Sequence, residues 1–473
     1  MNREMVIVGA GPAGMAAALR AAAGGVAVTV VDEAPAPGGQ IYRRPPEAFN
    51  ISAEPSGPEK ARGEALLGDF HEARERIEFL ADTAVLGLFE GRRLLLAHEG
   101  GTREISAEVL VLACGAYERT VPFPGWTLPG VLTAGGCQVL LKSQRILPGR
   151  RVLVAGTGPL LLVVACQLAR AGAEVAAVLE ASSLRSIWQA PHLLLGQTAL
   201  LREGLGYLRE LRRAGIPYLQ RHAVLEVHGD EEVEEAVITR LDRQWRPIRR
   251  GRRALAVDTV AVGFGFVSNT ELSRMALCEH SWLPGAGGWV PVRDPWMETS
   301  QAGIYAAGDG AGVAGALAAE DEGTLAALGA LFHLGRLEQG AAEAEARVPR
   351  RRLRKIARFR KVMDRVSEIR PGLLELCRPE TVVCRCEEVT RAEIAKAVGE
   401  GAHSLDNLKR RTRAGMGFCQ GRVCLPTVSA LAALGTQGVG QLSEEQAGWN
   451  RPRPPLRPVT IEALAGLLEQ AEE

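Results

Sequence analysis

The N-terminal stretch Met5–Arg43 reads MVIVGAGPAGMAAALRAAAGGVAVTVVDEAPAPGGQIYR. A short apolar run, Met5–Val8, suits a buried parallel strand and leads directly into a G-x-G-x-x-G turn. An alanine-rich segment typical of a helix follows, and a second apolar run, Val26–Val31, ends on two acidic residues. Strand, glycine turn, helix, strand and acid occur in the order of a βαβ dinucleotide-binding unit.

Each part of this turn has a physical role toward a bound pyrophosphate. Gly9 permits the tight turn, Gly11 lets the backbone approach the phosphates, and Gly14 lets the helix and strand pack closely. The helix N-terminus supplies unpaired N–H groups that favour an anion. Glu33, about 20 residues on, is placed to accept hydrogen bonds from a ribose. The predicted site comprises Gly9, Gly11, Pro12, Ala13, Gly14, Asp32 and Glu33.

Three later segments indicate that the dinucleotide is FAD. Gly38–Gln40 follows the acid, Leu110–Gly115 is an apolar run that ends in small residues, and Thr299–Asp309 reads TSQAGIYAAGD. These segments resemble loops of flavoproteins with two dinucleotide-binding domains, in which a late Gly-Asp binds the ribitol chain. The resemblance implies that role for Asp309. It extends the candidate set to Gly39, Gln40, Arg43, Ala113, Gly115, Gly308 and Asp309.

Composition limits the class of protein. The 473 residues allow about three domains of ~150 residues each. A net charge of +1 gives no reason to expect nucleic acid or an anionic membrane as a partner. Val152–Ala169 is uncharged and long enough to span a membrane, but its early glycines and proline favour a strand, a turn and a buried helix. We predict a cytoplasmic protein without an integral membrane segment, in which cysteines serve metal binding or catalysis rather than disulfides.

A second βαβ pattern occupies Arg151–Glu180. It contains Gly156 and Gly158, but Leu161 stands where the third glycine would be. A bulky residue at that position is expected to hinder close packing of the helix on the strand. Two interpretations therefore stay open: a functional NAD(P) site, and a structural relic or a site for another ligand.

Four cysteines in the C-terminal third form the second strong signal. They occur as C-x-C at 384–386 and C-x4-C at 419–424, and Thr390–Glu393 between them is a capping box that predicts a helix start. Four thiolates form a soft site that selects iron–sulfur clusters or zinc. Zinc sites usually use C-x₂₋₄-C, so the tighter C-x-C favours [2Fe–2S], with zinc or mononuclear iron as the alternative. The candidate ligands are Cys384, Cys386, Cys419 and Cys424.

The motifs around these cysteines carry a family resemblance. CRCEEVT and GMGFCQGRVC are similar to the bacterioferritin-associated-ferredoxin-type (BFD-like) [2Fe–2S] domain. Combined with GGQIYR at 38–43, GAYER at 115–119 and PGWTLPGVLTAGG at 124–136, they resemble a narrower family. Its members are the α (A) subunits of heteromeric amine-oxidising flavoenzymes: opine oxidase, D-hydroxyproline or L-proline dehydrogenase, and hydrogen cyanide synthase. The resemblance spans nearly the whole chain.

The resemblance implies both cofactors and partners. It assigns FAD to the N-terminal site and the [2Fe–2S] cluster to the four cysteines. It also implies a β subunit of the D-amino-acid-oxidase type, where the amine is oxidised, together with an electron acceptor. Some relatives have a small third subunit, and some hold an FMN at a subunit interface.

The sequence predicts an α/β flavoprotein with two dinucleotide-binding domains and a small helical BFD-like [2Fe–2S] domain at its C-terminal end. Residues 61–80 are predicted to be helical and 84–108 rich in strands. The predicted organisation is an FAD-binding domain at 1–150 with a return segment at 256–335, a second dinucleotide-binding-like domain at 151–255, a basic helical linker at 336–380, the [2Fe–2S] domain at 381–430, and a Pro/Arg-rich tail with a final helix at 431–473.

The predicted function is redox relay in a multi-subunit dehydrogenase that oxidises an amine or amino acid. A flavin hands over electrons one at a time, and a [2Fe–2S] cluster accepts one. No catalytic residue is assigned, since the eight histidines are scattered and belong to no motif. Two alternatives stay open: a self-sufficient NAD(P)H-dependent flavin reductase, and a non-catalytic nucleotide-binding protein that serves only assembly.

Overall fold

The computed structural model of the chain describes residues 2–46, 49, 58–183, 198–248, 250–435 and 443–465. It divides into two compact units. The first comprises Met1–Ala116, Ser268–Ala357 and Arg451–Glu473, and the second comprises Tyr117–Val267 and Arg358–Asn450.

The strands, in chain order, are β1 Asn2–Val8, β2 Val28–Val31, β3 Ile77–Leu80, β4 Ala84–Phe89, β5 Arg93–His98, β6 Gly101–Leu112, β7 Ala116–Glu118, β8 Val131–Thr133, β9 Arg151–Gly156, β10 Glu174–Glu180, β11 Tyr218–Gln220, β12 His222–His228, β13 Glu235–Arg240, β14 Arg253–Ala256, β15 Thr259–Gly263, β16 Phe266–Ser268, β17 His280–Leu283, β18 Gly288–Pro291, β19 Ile304–Ala306, β20 Val382–Cys384 and β21 Val389–Thr390.

The α-helices are α1 Pro12–Ala23, α2 Pro58–Glu72, α3 Ala134–Val139, α4 Leu160–Arg170, α5 Thr198–Arg213, α6 Glu271–Met275, α7 Ala316–His333, α8 Gln339–Ser367, α9 Arg391–Gly399, α10 Leu405–Thr412, α11 Leu425–Gly435 and α12 Glu444–Ala447. A π-helical turn at Leu140–Gln144 follows α3, and short 3₁₀ turns lie at Glu90–Arg92, Pro284–Ala286, Gly308–Ala311 and Pro371–Leu376.

The first unit is built on a sheet in the order β3-β2-β1-β6-β5-β4, with β19 also paired to β6. β1, β2, β3, β6 and β19 run parallel to one another. β5 runs antiparallel to β6, and β4 runs antiparallel to β5. The C-terminal half of β1 is buried, as expected for a strand covered on both faces. Gly323 of α7 allows close approach to α1, because a Cβ built on it would lie 2.0 Å from the Ala13 carbonyl oxygen.

The second unit contains a parallel five-stranded sheet in the order β11-β10-β9-β15-β8, an antiparallel sheet β12-β13-β14, and the C-terminal cysteine-containing module. The five-stranded sheet therefore includes Val131–Thr133 and Thr259–Gly263, which lie outside the 151–255 predicted for that domain. In the module, Thr390 opens α9 with the expected capping box, in which Glu393 returns the hydrogen bond. A separate apolar core of this module contains Cys384 and Cys424.

Several predicted elements differ in extent from those observed. The helix predicted at 61–80 is wrong over its last eight residues. Helix α2 ends at Glu72, residues 73–76 form a turn, and Ile77–Leu80 forms β3, which pairs in parallel with β2. The uncharged run Val152–Ala169 is a strand, a turn and a helix, as predicted. Among the described residues, no helix is both long and apolar enough to cross a membrane. The final helix is described for 461–465, and the rest of its predicted range lies outside the described residues.

Candidate functional site

The predicted FAD residues lie at one edge of the first unit's sheet. Gly9, Asp32 and Ala113 directly follow β1, β2 and β6, and Gly308 lies two residues beyond β19. Because these strands are parallel, their carboxyl ends meet at the edge where open α/β sheets bind ligands. Four segments that are distant in sequence are thus brought together.

The glycine turn is shaped by close backbone contacts. The Gly9 N–H donates to the Val31 carbonyl at 2.8 Å, and a Cβ on Gly9 would lie 2.3 Å from the Ala113 oxygen. A Cβ on Gly14 would lie 1.8 Å from the Gly9 oxygen. These contacts explain why glycine is needed at both positions and match the packing role predicted for Gly14.

Gly11 differs from its neighbours because its side-chain direction is open. A Cβ built there would meet the Gly39 Cα at 3.8 Å and no nearer atom among the described residues. Gly39 approaches from the opposite side, where its own Cβ would lie 2.8 Å from the Gly11 Cα, and its φ is +58°. α1 begins at Pro12 without a side-chain cap in the described structure, so its N-terminal N–H groups face this space. This arrangement fits the pyrophosphate of FAD.

The two acids after β2 have different partners. The Asp32 carboxylate accepts hydrogen bonds from the N–H groups of Ala10 at 2.5 Å and Ala34 at 2.8 Å, so it stabilises the turn itself. Burial raises the pKa of Asp32, and those two hydrogen bonds oppose the rise. Glu33 is exposed and contacts the Arg457 guanidinium at 2.6 Å. Of the two acids, Glu33 is the one whose carboxylate does not hydrogen-bond to the turn backbone in the described structure.

The remaining candidates complete this edge. Asp309 accepts hydrogen bonds from the Ala314 and Gly315 N–H groups at 2.8 and 2.9 Å through the same oxygen, Oδ1. A Cβ on Gly310 would lie 3.1 Å from the Gly115 nitrogen, which places the Asp309 loop against that segment. Gln40 is exposed and Arg43 is half-buried. A Cβ on Gly308 would lie 2.9 Å from the Ala13 Cβ, so this loop also borders α1.

Sequence reasoning missed two residues at this edge, Arg457 and Glu271. Arg457 lies in the Pro/Arg-rich tail, which is fastened to the first unit by a hydrogen bond of 2.7 Å from the Leu456 N–H to the Leu86 carbonyl. Its guanidinium also lies 3.4 Å from the Glu271 carboxylate. The Pro/Arg composition of the tail indicated an extended segment that wraps over the flavoprotein domain, but it gave no sign of the contacts that Arg457 makes.

Glu271 predicts a pH dependence of stability. Burial raises its pKa to about 7, with Arg457 acting in the opposite direction, whereas the ordinary value is 4.5. Between these values the folded chain holds a proton that the unfolded chain has released, so stability falls as pH rises through this window, by up to about 3 kcal/mol. Denaturant unfolding at pH 5, 6, 7 and 8 should show that Glu271→Gln loses this part of the slope. Parallel curves for the two proteins would contradict the assignment.

The second βαβ unit differs from the first at the residue that corresponds to Glu33. Val31 pairs with Val8 and Glu180 pairs with Gly156, so Glu180 corresponds to Asp32. Its carboxylate accepts hydrogen bonds from the Gly158 and Ser182 N–H groups, each at 3.0 Å. The position equivalent to Glu33 is therefore Ala181, which is fully buried.

Leu161 does not obstruct the second unit as expected. It is fully buried at the start of α4, and a Cβ on Gly263 of β15 would lie 3.3 Å from its Cδ2 atom. The missing side chain at Gly263 accommodates the bulk of Leu161, so helix and sheet still pack. The expectation of hindered packing was wrong, because the compensating glycine lies about 100 residues further along the chain.

The four candidate ligand cysteines come together as two pairs. The thiols of Cys384 and Cys424 share a hydrogen bond, and so do those of Cys386 and Cys419. Cys384 and Cys424 are 1% and 2% exposed, whereas Cys386 is exposed. Two pairs of thiols from two turns suit a cluster held by four thiolates. Within the described residues, no three His, Cys, Asp or Glu side chains are arranged as ligands of one metal ion.

Proximity strongly affects the acidity of these thiols. The hydrogen bond from Cys424 lowers the pKa of Cys384 to about 5, and the same contact raises the pKa of Cys424. A backbone hydrogen bond from Cys419 acts to lower the pKa of Cys386, but burial and the Cys419 thiol outweigh it and the net shift is upward. The inner pair, Cys384 and Cys424, thus favours a thiolate, the form that binds metal.

Glycines make room around the cysteines. A Cβ on Gly417 would lie 2.1 Å from the Cys386 Cβ and 3.3 Å from its Sγ. Gly415 and Gly421 both have positive φ, and a Cβ on either would press on Leu425 at the start of α11. The glycine-rich turn that contains Cys419 therefore packs closely against Cys386 and against the start of α11. This close packing fits a compact inorganic cluster.

Family models match both parts of the chain. Residues 3–323 match the pyridine nucleotide-disulphide oxidoreductase family, and 382–433 match the BFD-like [2Fe-2S] binding domain. These matches assign FAD and a [2Fe–2S] cluster as cofactors, as predicted.

Individual relatives agree over the full length. The chain is 39% identical to hydrogen cyanide synthase subunit HcnB of Pseudomonas aeruginosa, over 100% of both chains. It is 36% identical to the A subunit of opine oxidase from Agrobacterium tumefaciens, over 98% of this chain and 92% of that protein. L-proline dehydrogenase from P. horikoshii shares the fold, with a TM-score of 0.68 over 98% of this chain and 79% of the other, at 22% identity.

These similarities confirm the predicted fold class, and they confirm the family resemblance that the sequence motifs indicated. The chain belongs to the oxidoreductase family that includes hydrogen cyanide synthase subunit HcnB and the A subunit of opine oxidase, with an FAD-binding α/β fold followed by a BFD-like [2Fe–2S] domain.

Proposed function

We propose that this chain is the electron-transfer (α) subunit of a multi-subunit dehydrogenase or oxidase whose substrate is a secondary amine or an amino acid of the opine, D-hydroxyproline, proline or glycine type. FAD is held by the edge from Gly9 to Gly14 with Glu33 and Asp309, and the cluster by Cys384, Cys386, Cys419 and Cys424. When bound, FAD accepts electron pairs and the cluster accepts electrons singly, which suits a relay.

One observation supports this proposal: among the described residues, the first βαβ unit has an exposed acid after its second strand and the second unit does not. Glu33 is exposed at the first edge, whereas its counterpart in the second unit is the buried Ala181. A self-sufficient reductase needs a second nucleotide site, and an NAD site normally has an acid that binds the ribose, so this difference argues against an NADH-dependent reductase.

The environment of one histidine, His280, does not suit it to act as a general base. His280 is held by the Ser273 hydroxyl at 2.9 Å and the Cys278 carbonyl at 2.8 Å. Burial lowers its pKa to about 4, so it is neutral at physiological pH and fixed by its neighbours. A general base needs a pKa near the working pH and access to the substrate proton. The lowered pKa of His280 does not meet the first requirement.

The amine is then oxidised on a partner. We propose a β subunit of the D-amino-acid-oxidase type, with a small third subunit and an interface FMN as further components of some assemblies, and a cytoplasmic location. Support comes from the names of the relatives, which are subunits of larger enzymes.

The direct test is activity of the isolated chain. Purified with full FAD and cluster, it should show no turnover of opines, D-hydroxyproline, L-proline or glycine with an artificial electron acceptor. Activity should appear on addition of the native partner subunit. Robust turnover by the chain alone would place the catalytic site here and overturn the relay.

A second assay separates the alternatives. Anaerobic NAD(P)H should leave the flavin absorbance of the isolated chain unchanged on the time scale of turnover. Rapid bleaching would instead identify a self-sufficient reductase. If the reconstituted complex were equally active with a chain that lacks both cofactors, the chain would serve assembly and not catalysis.

A further inference from the structure

Both cysteine turns contact one segment of the second unit, Tyr117–Trp126, here called the platform segment. Arg385 lies between Cys384 and Cys386, and its guanidinium carbon is 5.3 Å from the centre of the Trp126 ring. Arg422 lies two residues before Cys424, and its guanidinium carbon is 5.5 Å from the Tyr117 ring centre. Each ligand turn therefore has an arginine stacked on an aromatic ring at one end of the same segment.

Hydrogen bonds fix the platform segment to the same turns. The Trp126 Nε1–H donates to the Val382 carbonyl at 2.6 Å, two residues before Cys384. Thr120 donates to the Val423 carbonyl at 3.3 Å, and Thr427 donates back to the Thr120 carbonyl at 3.1 Å. Thr120 and Trp126 are 5% and 4% exposed. The segment thus sets the positions of both turns through buried contacts.

Each of the two ligand turns carries one arginine, and therefore one permanent positive charge. Guanidinium groups stay protonated in proteins and stack well on aromatic faces. Among the described residues, Arg385 forms no ion pair, although it is exposed. The nearby Arg413, in contrast, is paired with Glu387 at 2.7 Å. Adding an electron to a [2Fe–2S] cluster adds negative charge, which a neighbouring cation stabilises.

We propose that Arg385 and Arg422 raise the reduction potential of the cluster, and that Trp126 and Tyr117 are the positioning residues that hold these cations in place. A higher potential favours transfer of electrons from the flavin into the cluster. The inference rests on the ligand set proposed above. Iron and acid-labile sulfide are therefore measured first on the unmodified chain and on every variant. Absence of a cluster in the unmodified chain would refute the ligand set. An intact cluster with an unchanged potential in the arginine variants would refute this inference alone.

The first experiment is a redox titration of the full-length holoprotein, followed by electron paramagnetic resonance of the reduced cluster. Arg385→Gln should lower the ratio of reduced to oxidised cluster at a fixed potential by about three- to tenfold, which for one electron is about 30–59 mV. Arg385→Lys, which keeps the charge, should shift it less. The matched control is Arg370→Gln, because Arg370 also stacks on a tryptophan, Trp245, at 5.8 Å in the same unit. An unchanged potential in Arg385→Gln, or an equal shift in the control, would overturn the proposal.

The second experiment tests whether Trp126 acts through Arg385. Trp126→Phe keeps a ring but loses the hydrogen bond to Val382, whereas Trp126→Leu loses both. The Leu variant should shift the potential in the same direction as Arg385→Gln, and the double variant should shift it no further than Arg385→Gln alone. The shift should shrink at high salt, since exposed charge is screened. Fully additive shifts would show that Trp126 acts independently. Should Trp126→Leu lose its cluster, the same cycle with Tyr117→Leu and Arg422→Gln decides the question.

Discussion

Gly11→Val is expected to abolish FAD binding while the chain still folds. The direction of the missing side chain is open, with Gly39 Cα at 3.8 Å as the nearest described atom, so valine meets little protein. It would instead occupy the space where the backbone approaches the pyrophosphate. We expect affinity to fall at least about 100-fold, or about 3 kcal/mol, enough for the purified variant to lack flavin. Flavin absorbance and chromatography of the nucleotide released on denaturation provide the measurement.

Two further glycine variants calibrate this result. Gly68→Val is the matched control, because Gly68 is exposed on α2 and a Cβ there meets no described atom within 4 Å. It should keep both FAD and stability. Gly14→Val should damage folding as well as binding, since its Cβ would lie 1.8 Å from the Gly9 oxygen. Full FAD content in Gly11→Val would place the pyrophosphate elsewhere, and release of ATP or ADP without flavin from the unmodified chain would leave a plain nucleotide site.

Local patterns were enough to predict the glycine turn of the first unit and the strands and helix that flank it. Gly9, Gly11 and Gly14 contact residues close in sequence or at the end of an adjacent strand. Their spacing in the sequence was therefore sufficient to predict the turn. Arg457 was not predictable, because it meets Glu33 across 424 positions of sequence. The tail has no periodic pattern that specifies a docking surface, so only the folded chain shows where it lies.

The second unit shows a different limit. Its glycines correctly predicted a βαβ element. The role of Glu180 depended on the register of its strand, because an acid one position later would lie at the position of Glu33. In the observed register, Glu180 binds the turn backbone instead. Likewise, Leu161 suggested poor packing until Gly263 was found opposite it. A bulky residue that is accommodated by a small residue far away in sequence cannot be recognised from the local motif.

Short strands at sheet edges were also difficult to predict. Ile77–Leu80 was included in a predicted helix, yet in the structure it pairs with β2 as a parallel strand. The cysteine motif, by contrast, was evident from its spacing. The platform segment that supports it was not, since Trp126 reaches Val382 across 256 positions.

Cys384→Ser and Cys419→Ser are both expected to lose the [2Fe–2S] cluster while keeping FAD, because each leaves one coordination position without a thiolate. The two variants should differ in stability. Cys384 is 1% exposed within the apolar core of the module, so serine there also buries a hydroxyl among apolar side chains. Cys419 is only half-buried, and its variant should retain more of the module's thermal stability.

Cys377→Ser supplies the control for these variants. Cys377 is fully buried in the same core, and burial raises the pKa of its thiol to about 11, so it stays protonated at neutral pH and unsuited to bind metal. This variant should keep a full complement of iron and acid-labile sulfide even if it loses some stability. Loss of stability then separates from loss of cluster, because Cys377→Ser measures the first alone and Cys419→Ser mainly the second. One zinc per chain without sulfide in the unmodified protein, or an unchanged cluster in Cys419→Ser, would refute the four-cysteine ligand set.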